Sequence, residues 1–313
     1  MITSRIDTVT PVRKSNWVQR HPLLAYFVIA FAGTWAAVIP LALSTGFNLF
    51  PLPEEVFILL FISSMYIGPL FGALIVTRMT EGGDGVRRLL KRLLLWRVGF
   101  QWYLVAVFIM LFSWLAAFSI IYRGGPIHEL IGSPMLLLTV FLPKIVEGIF
   151  IPSLGEEPGW RGFALPRLQS QYGPVLGTTI LGVLHGLWHL PALFTSLFGP
   201  LPVSEILPFI LTATAGTFIY TWIYNHTQGS LLIAVLVHAS SNAASQLMAR
   251  LIPLDEFLPA PFQWLSMGWL NTIIFTLVAV TLVMITRGRL GARPASETKM
   301  KALQEETTTM DQR

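Results

Sequence analysis

The chain has 313 residues, 54% of them hydrophobic and only 12% charged, with a formal net charge of +5 and a mean hydropathy of +0.65. A soluble domain carries about a quarter charged residues, so the composition excludes an ordinary water-soluble enzyme and indicates a polytopic membrane protein. Cysteine is absent, which removes disulfides, thiolate metal sites, cysteine nucleophiles and palmitoylation; any nucleophile is a hydroxyl, a carboxylate or water.

The first 21 residues are polar and basic (Arg5, Arg13, Lys14, Arg20). The apolar run that follows has no small-residue cleavage site just beyond it, and it reads as a retained helix rather than a signal peptide. A span needs about 20 apolar residues. Eight stretches qualify, at roughly 22–43, 56–77, 101–122, 135–155, 174–198, 205–225, 229–248 and 264–286. The expected fold class is therefore all-α, with about eight transmembrane helices. The fourth stretch is the least clean, since it holds Pro143, Lys144, Glu147 and Pro152. Lys144 and Glu147 lie three apart on one helical face, where they read as a structural ion pair facing the bundle, with a catalytic pair as the alternative.

Loop charges test the count independently. Four Lys/Arg precede the first stretch, six lie in 78–97, two in 159–173 and six from Arg287 onward. The intervening segments 44–55 and 199–204 hold none, and 123–134 and 249–263 hold one each. This alternation suits eight spans with both termini on the cytoplasmic side. Because the basic residues sit beside the spans, the positive charge points to anionic lipid rather than nucleic acid. Segment 86–97, VRRLLKRLLLWR, separates leucines from arginines around a helix and reads as an interfacial helix, with a regulatory or partner-binding role as the alternative. The parts expected are a cytoplasmic segment 1–21, a membrane domain 22–286, and a tail 287–313 too polar to pack.

Ionisable groups inside a bilayer are costly and mark function, and they gather in three places here. The segment SLGEEPGWRG, 153–162, has a helix break expected near Pro152 and Gly155, with Pro158 suited to a first helical turn. Adjacent helical positions diverge by about 100 degrees, so Glu156 and Glu157 cannot share a face. Glu157 stands four before Arg161, in the favourable order for a pair. Glu156 is then the candidate base, although spacing alone permits the reverse. In LHGLWHLP, 184–191, His185 and His189 are four apart, as are His238 and Asn242 in VHASSN, 237–242.

Taken in order, EEPGWRG, HGLWHLP and HASSN resemble the three motifs of the CPBP intramembrane proteases, which include the CAAX prenyl endopeptidases and bacterial relatives linked to bacteriocin processing and immunity. One departure is His185, where the family usually has an aromatic residue, so the second-motif histidine is taken as His189. The resemblance implies peptide-bond hydrolysis inside the membrane. It gives Glu156 as general base, His189 as its partner, and His238 and Asn242 as oxyanion donors, beside the Glu157–Arg161 orienting pair that the spacing suggests. Such donors stabilise developing charge by several kcal/mol in a dry site. It leaves metal open: Glu156, His189 and His238 suit a three-ligand zinc site, and a metal-free glutamate mechanism stands beside it. His185–His189 also offers a chelating pair, but HGLWH lacks the glutamate of the zincin helix, and His185 is expected to be a packing or supporting residue.

The implied partners are a lipidated protein or a membrane-associated peptide, and the implied location is a bacterial-type plasma membrane with the site open to the cytoplasm. A non-catalytic binding protein of the same fold and a proton-coupled transporter remain the alternatives. Counted at 1.5 Å per residue, His189 lies about 22 Å along its span from residue 174 and His238 about 13 Å from residue 229. They share a level only if the fifth helix starts outside the hydrocarbon or is tilted, and a gap above about 10 Å would break a single zinc-type site.

Overall fold

The computed structural model describes residues 16–196, 202–252 and 266–292. The regions expected as tails fall mostly outside these, at 1–15 and 293–313, as do the ends of the fifth and eighth expected stretches. Among the described residues the secondary structure is entirely helical.

The principal helices are α1 (Pro22–Leu41), α2 (Glu54–Met65), α3 (Phe71–Lys91), α4 (Phe100–Ile121), α5 (Leu142–Gly148), α6 (Leu165–Trp188), α7 (Ile206–His226), α8 (Leu231–Leu251) and α9 (Met267–Ile285). Local chemistry sets several ends. Pro22 opens α1 with the fixed φ of a first turn, and Ser230 and Ser266 cap α8 and α9 by accepting from Ile233 and Trp269 N–H groups.

Seven helical runs are long and apolar enough to cross a membrane, and the chain is an all-α polytopic membrane protein. The eight expected stretches fit into seven runs because the fourth and fifth are joined in one 58-residue run, Leu137–Phe194. That run is bent twice, at Ile151 (φ −138°, ψ 105°) before Pro152 and at Gly173 (φ +77°). The first bend is the helix break expected near Pro152. Pro158 does not open the new helix: the chain re-enters helical geometry at Leu154–Glu157, and Pro158 begins a wide i→i+5 turn, Pro158–Ala164.

α8 is the most buried span. Its small residues Ala234, Ala239, Ala243 and Ala244 are all buried, which lets its neighbours approach closely. A Cβ on Gly148 of α5, for instance, would lie 3.0 Å from Ala239 Cα. Gly182 and Gly186 play the same part between α6 and α7, where added Cβ atoms would meet Thr214 Cα at 2.7 Å and Ile210 Cα at 3.0 Å. Two apolar cores result. One joins α4, α5, α7, α8 and α9. The other joins α1, α3, the wide turn, α6 and the start of α8. The outward faces carry large apolar residues such as Phe112, Ile120 and Leu277, as a lipid-facing surface requires.

Lys144 and Glu147 do pair, at 2.7 Å, but their side chains are 40% and 55% exposed. The pair points out of the bundle rather than into it, because α5 spends its buried face, Ile145 and Gly148, on its neighbours.

Candidate active site

The ionisable residues lie at the seam between the two cores. Glu156 and Glu157 sit in the short helical turn after the Ile151 bend, both essentially without solvent exposure. Their divergence around the helix sends them to different partners. Glu157 Oε1 accepts from Arg161 Nη1 at 2.9 Å and from His238 Nδ1 at 2.7 Å. Glu156 Oε2 instead accepts from His185 Nε2 at 3.1 Å. One carboxylate oxygen thus serves two donors from two elements, while Glu157 Oε2 and Arg161 Nε have no hydrogen-bond partner among the described residues.

His185 is thus in direct contact with Glu156, where a packing or supporting role was expected of it. The reason is axial. At 1.5 Å per residue, His185 lies about 6 Å nearer the start of α6 than His189, and this brings it level with the glutamates. His189, at the C-terminal end of α6, still belongs to the cluster: its Nδ1–H donates to the His185 carbonyl at 2.9 Å, which directs Nε2 elsewhere. Ligand atoms of Glu156, His185 and His189 all lie within 4.8 Å of one another. The expected metal set was Glu156, His189 and His238. Among the described residues the set that gathers has His185 in the third place, while His238 spends Nδ1 on Glu157.

Helix α8 supplies His238, which is buried, and Asn242 one turn further on, which is exposed. Arg161 and His238 meet at the same Glu157 oxygen, so the axial mismatch does not separate His238 from the glutamates.

Two tyrosines complete the site and had no signal in the motif spacing. Tyr220 of α7 has its ring 4.5 Å from the Arg161 guanidinium carbon and 5.8 Å from the His238 ring, so it holds both residues that Glu157 binds. Tyr26 of α1 is fully buried, and its hydroxyl has no hydrogen-bond partner among the described residues. A Cβ on Gly159 would lie 2.5 Å from that hydroxyl, so only glycine lets the wide turn come this close. Tyr26 packs edge-on against Trp160 at 5.8 Å, and Trp160 lies 4.9 Å from His185. Trp188 and Phe209 then flank His189 at 4.7 and 5.5 Å. The result is a carboxylate–imidazole cluster with aromatic walls, a low-dielectric setting that strengthens every polar contact within it.

The donor set fits a divalent metal of the zinc type. Tetrahedral bonds of about 2 Å place ligand atoms roughly 3.3 Å apart, close to the 3.1 Å between His185 Nε2 and Glu156 Oε2. The His189 Nδ1–H bond to a backbone carbonyl is the kind of support that orients a ligating imidazole.

Comparison with known proteins converges on the same region. Residues 134–244 match the family model described as type II CAAX prenyl endopeptidase Rce1-like. A CAAX prenyl protease 2 of Methanococcus maripaludis is 28% identical over 117 residues, which is 36% of this chain and 42% of that protein. The chain therefore matches about two fifths of that relative's length. Tyr26 lies outside the matched stretch, and the remaining site residues lie inside it.

Proposed function

We propose that this protein, whose residues 134–244 match the type II CAAX prenyl endopeptidase Rce1-like family model, is an intramembrane endopeptidase that hydrolyses a peptide bond with water activated at Glu156. The observation that carries the reading is the cluster of buried Glu156 and His185 with half-buried His189, all within 4.8 Å, set apart from a second carboxylate already committed to Arg161 and His238.

The two glutamates divide the work by environment. Glu156 faces imidazoles, so it is the carboxylate able to take a proton from water and return it to the departing amine. Glu157 is neutralised by Arg161 and acts as an anchor. It binds His238 through Nδ1, so that histidine presents Nε2 to the substrate. Donation from His238 Nε2 to a developing oxyanion would need both ring nitrogens to carry a hydrogen, with the Glu157 carboxylate beside Nδ1 as counter-charge. Asn242, one turn along and exposed, is placed to add a neutral donor.

Glu156, His185 and His189 would hold a zinc ion; bound there, it would polarise the scissile carbonyl and acidify water. The same residues serve a metal-free route in which His185 and His189 orient the water that Glu156 deprotonates. The proposed substrate is a membrane-associated, lipidated peptide, and the proposed site opens to the cytoplasmic side.

The test is cleavage of quenched fluorescent peptides, with and without a prenyl group, by the detergent-purified protein beside Glu156→Gln. Cleavage lost in the variant supports the reading. Equal cleavage by both proteins would remove Glu156 from the reaction.

A further inference from the structure

The amphipathic segment after Gly82 touches both elements that carry the site. Gly82 (φ +71°) bends α3, and the chain then runs as helix to Lys91 and tightens into a 3-10 turn at Arg92–Leu94. Its inner face is tied down at four points. Leu89 is buried, and a Cβ on Gly162 would lie 2.6 Å from Leu89 Cδ1 and 3.1 Å from Leu231 Cδ1. Arg92 Nη1 donates to the Gly162 carbonyl at 3.3 Å and to Tyr224 Oη at 2.9 Å. Ser230, the residue that caps α8, donates to the Leu95 carbonyl at 2.7 Å. Upstream, Glu81 binds Arg88 at 2.9 Å and also binds Arg167, whose guanidinium lies 3.8 Å over Phe163. Gly162 and Phe163 belong to the wide turn that holds Arg161, and Ser230 begins the helix that holds His238.

The outer face is of a different kind. Residues 85–100 contain five Lys/Arg and no Asp or Glu, and Arg87, Arg88, Lys91 and Arg97 are exposed. Among them Leu94 is 75% exposed, Trp96 60% and Phe100 73%. Clustered cations interleaved with exposed leucine and aromatic side chains complement an anionic lipid surface. The cations meet the headgroups and the apolar side chains enter the acyl boundary.

We propose that the face formed by Arg87, Lys91, Leu94, Trp96 and Arg97 docks on an anionic lipid leaflet, and that docking holds the 158–164 turn and the start of α8 in place through Arg92 and Leu95. The lipid then acts as a positive regulator of the site. Docking itself does not depend on the proteolytic reading; its effect on catalysis does.

The absence of cysteine makes a Leu94→Cys variant of the full chain a unique attachment point for an environment-sensitive fluorophore. The probes are nanodiscs of phosphatidylcholine alone or mixed with phosphatidylglycerol. The label is expected to shift to shorter wavelength in the anionic discs. The shift should disappear in an Arg87→Gln/Lys91→Gln background, and should shrink when salt is raised enough to cut the Debye length from about 10 Å to about 3 Å. Hydrogen exchange across 158–164 is expected to slow in the anionic discs, and Arg92→Met should abolish that response while leaving the label shift. Equal emission in both lipids overturns docking. A lipid-dependent shift with unchanged exchange overturns the coupling. A lipid response in both label and exchange, without peptide cleavage in either disc, counts against the proteolytic reading and leaves the docking intact.

Discussion

At the scale of single residues, one buried carboxylate is proposed to serve structure and the other chemistry. Glu156→Gln keeps the volume and removes the base, so cleavage should fall by about 10²–10⁴-fold while the thermal unfolding midpoint in detergent changes little. Arg161→Ala has the opposite signature. It leaves Glu157 buried with its main counter-charge gone, which should cost about 3–5 kcal/mol of stability, seen as a lowered midpoint before any assay of activity. His185→Asn distinguishes a ligand or water-orienting role from packing. The variant should lose cleavage by about 10²-fold or more, and activity equal to the parent would return His185 to the packing role its sequence context suggested. Tyr26→Phe removes only the hydroxyl that has no partner among the described residues. A fall in kcat at unchanged KM and unchanged midpoint would show that the hydroxyl acts on the reacting centre.

At the scale of elements, glycine and alanine decide how closely the helices approach, and hence whether the catalytic groups meet. Gly182→Val would drive a side chain into Thr214 Cα, 2.7 Å from the nearest position of its Cβ. Overpacking of this sort costs roughly 1–3 kcal/mol. The shift of α6 against α7 should reduce cleavage as well, since α6 carries His185 and His189 while α7 carries Tyr220. Thermal unfolding together with peptide cleavage checks both consequences. The wide turn at Pro158–Ala164 carries Trp160, which packs in one core, and Arg161, which lies 4.5 Å from the Tyr220 ring of α7.

At the scale of the whole molecule, the charge pattern proposes an orientation with segments 78–97 and 159–173 on one side. Cysteines introduced at Asp84 and Leu49, both exposed, should then react from opposite faces of sealed vesicles. Labelling of the two by the same impermeant reagent from the same side would overturn the topology. Metal dependence is also a whole-molecule property here, because the three prospective ligands come from two separate helical segments. If zinc is resident, exhaustive chelation should abolish cleavage and stoichiometric zinc should restore it. Undiminished cleavage after chelation, with no metal detected by mass spectrometry, would leave the glutamate route alone.

Composition and periodicity were enough to establish an all-helical membrane protein, because apolar length and loop charge are properties of segments taken one at a time. The Glu157–Arg161 contact was legible for the same reason, since an i,i+4 spacing fixes both ends of it. The partner of Glu156 was not. Whether His185 or His189 meets it depends on where α6 lies along its own axis relative to the Ile151 bend, and no spacing within either segment records that offset. Tyr26 and Tyr220 were invisible for a related reason: each joins the site from a helix that shares no motif with it. The sequence alone determined the inventory of chemical groups and the helices that bear them. Only the packing of those helices, through close contacts such as Gly159 with Tyr26 and Gly148 with Ala239, decided which groups face one another.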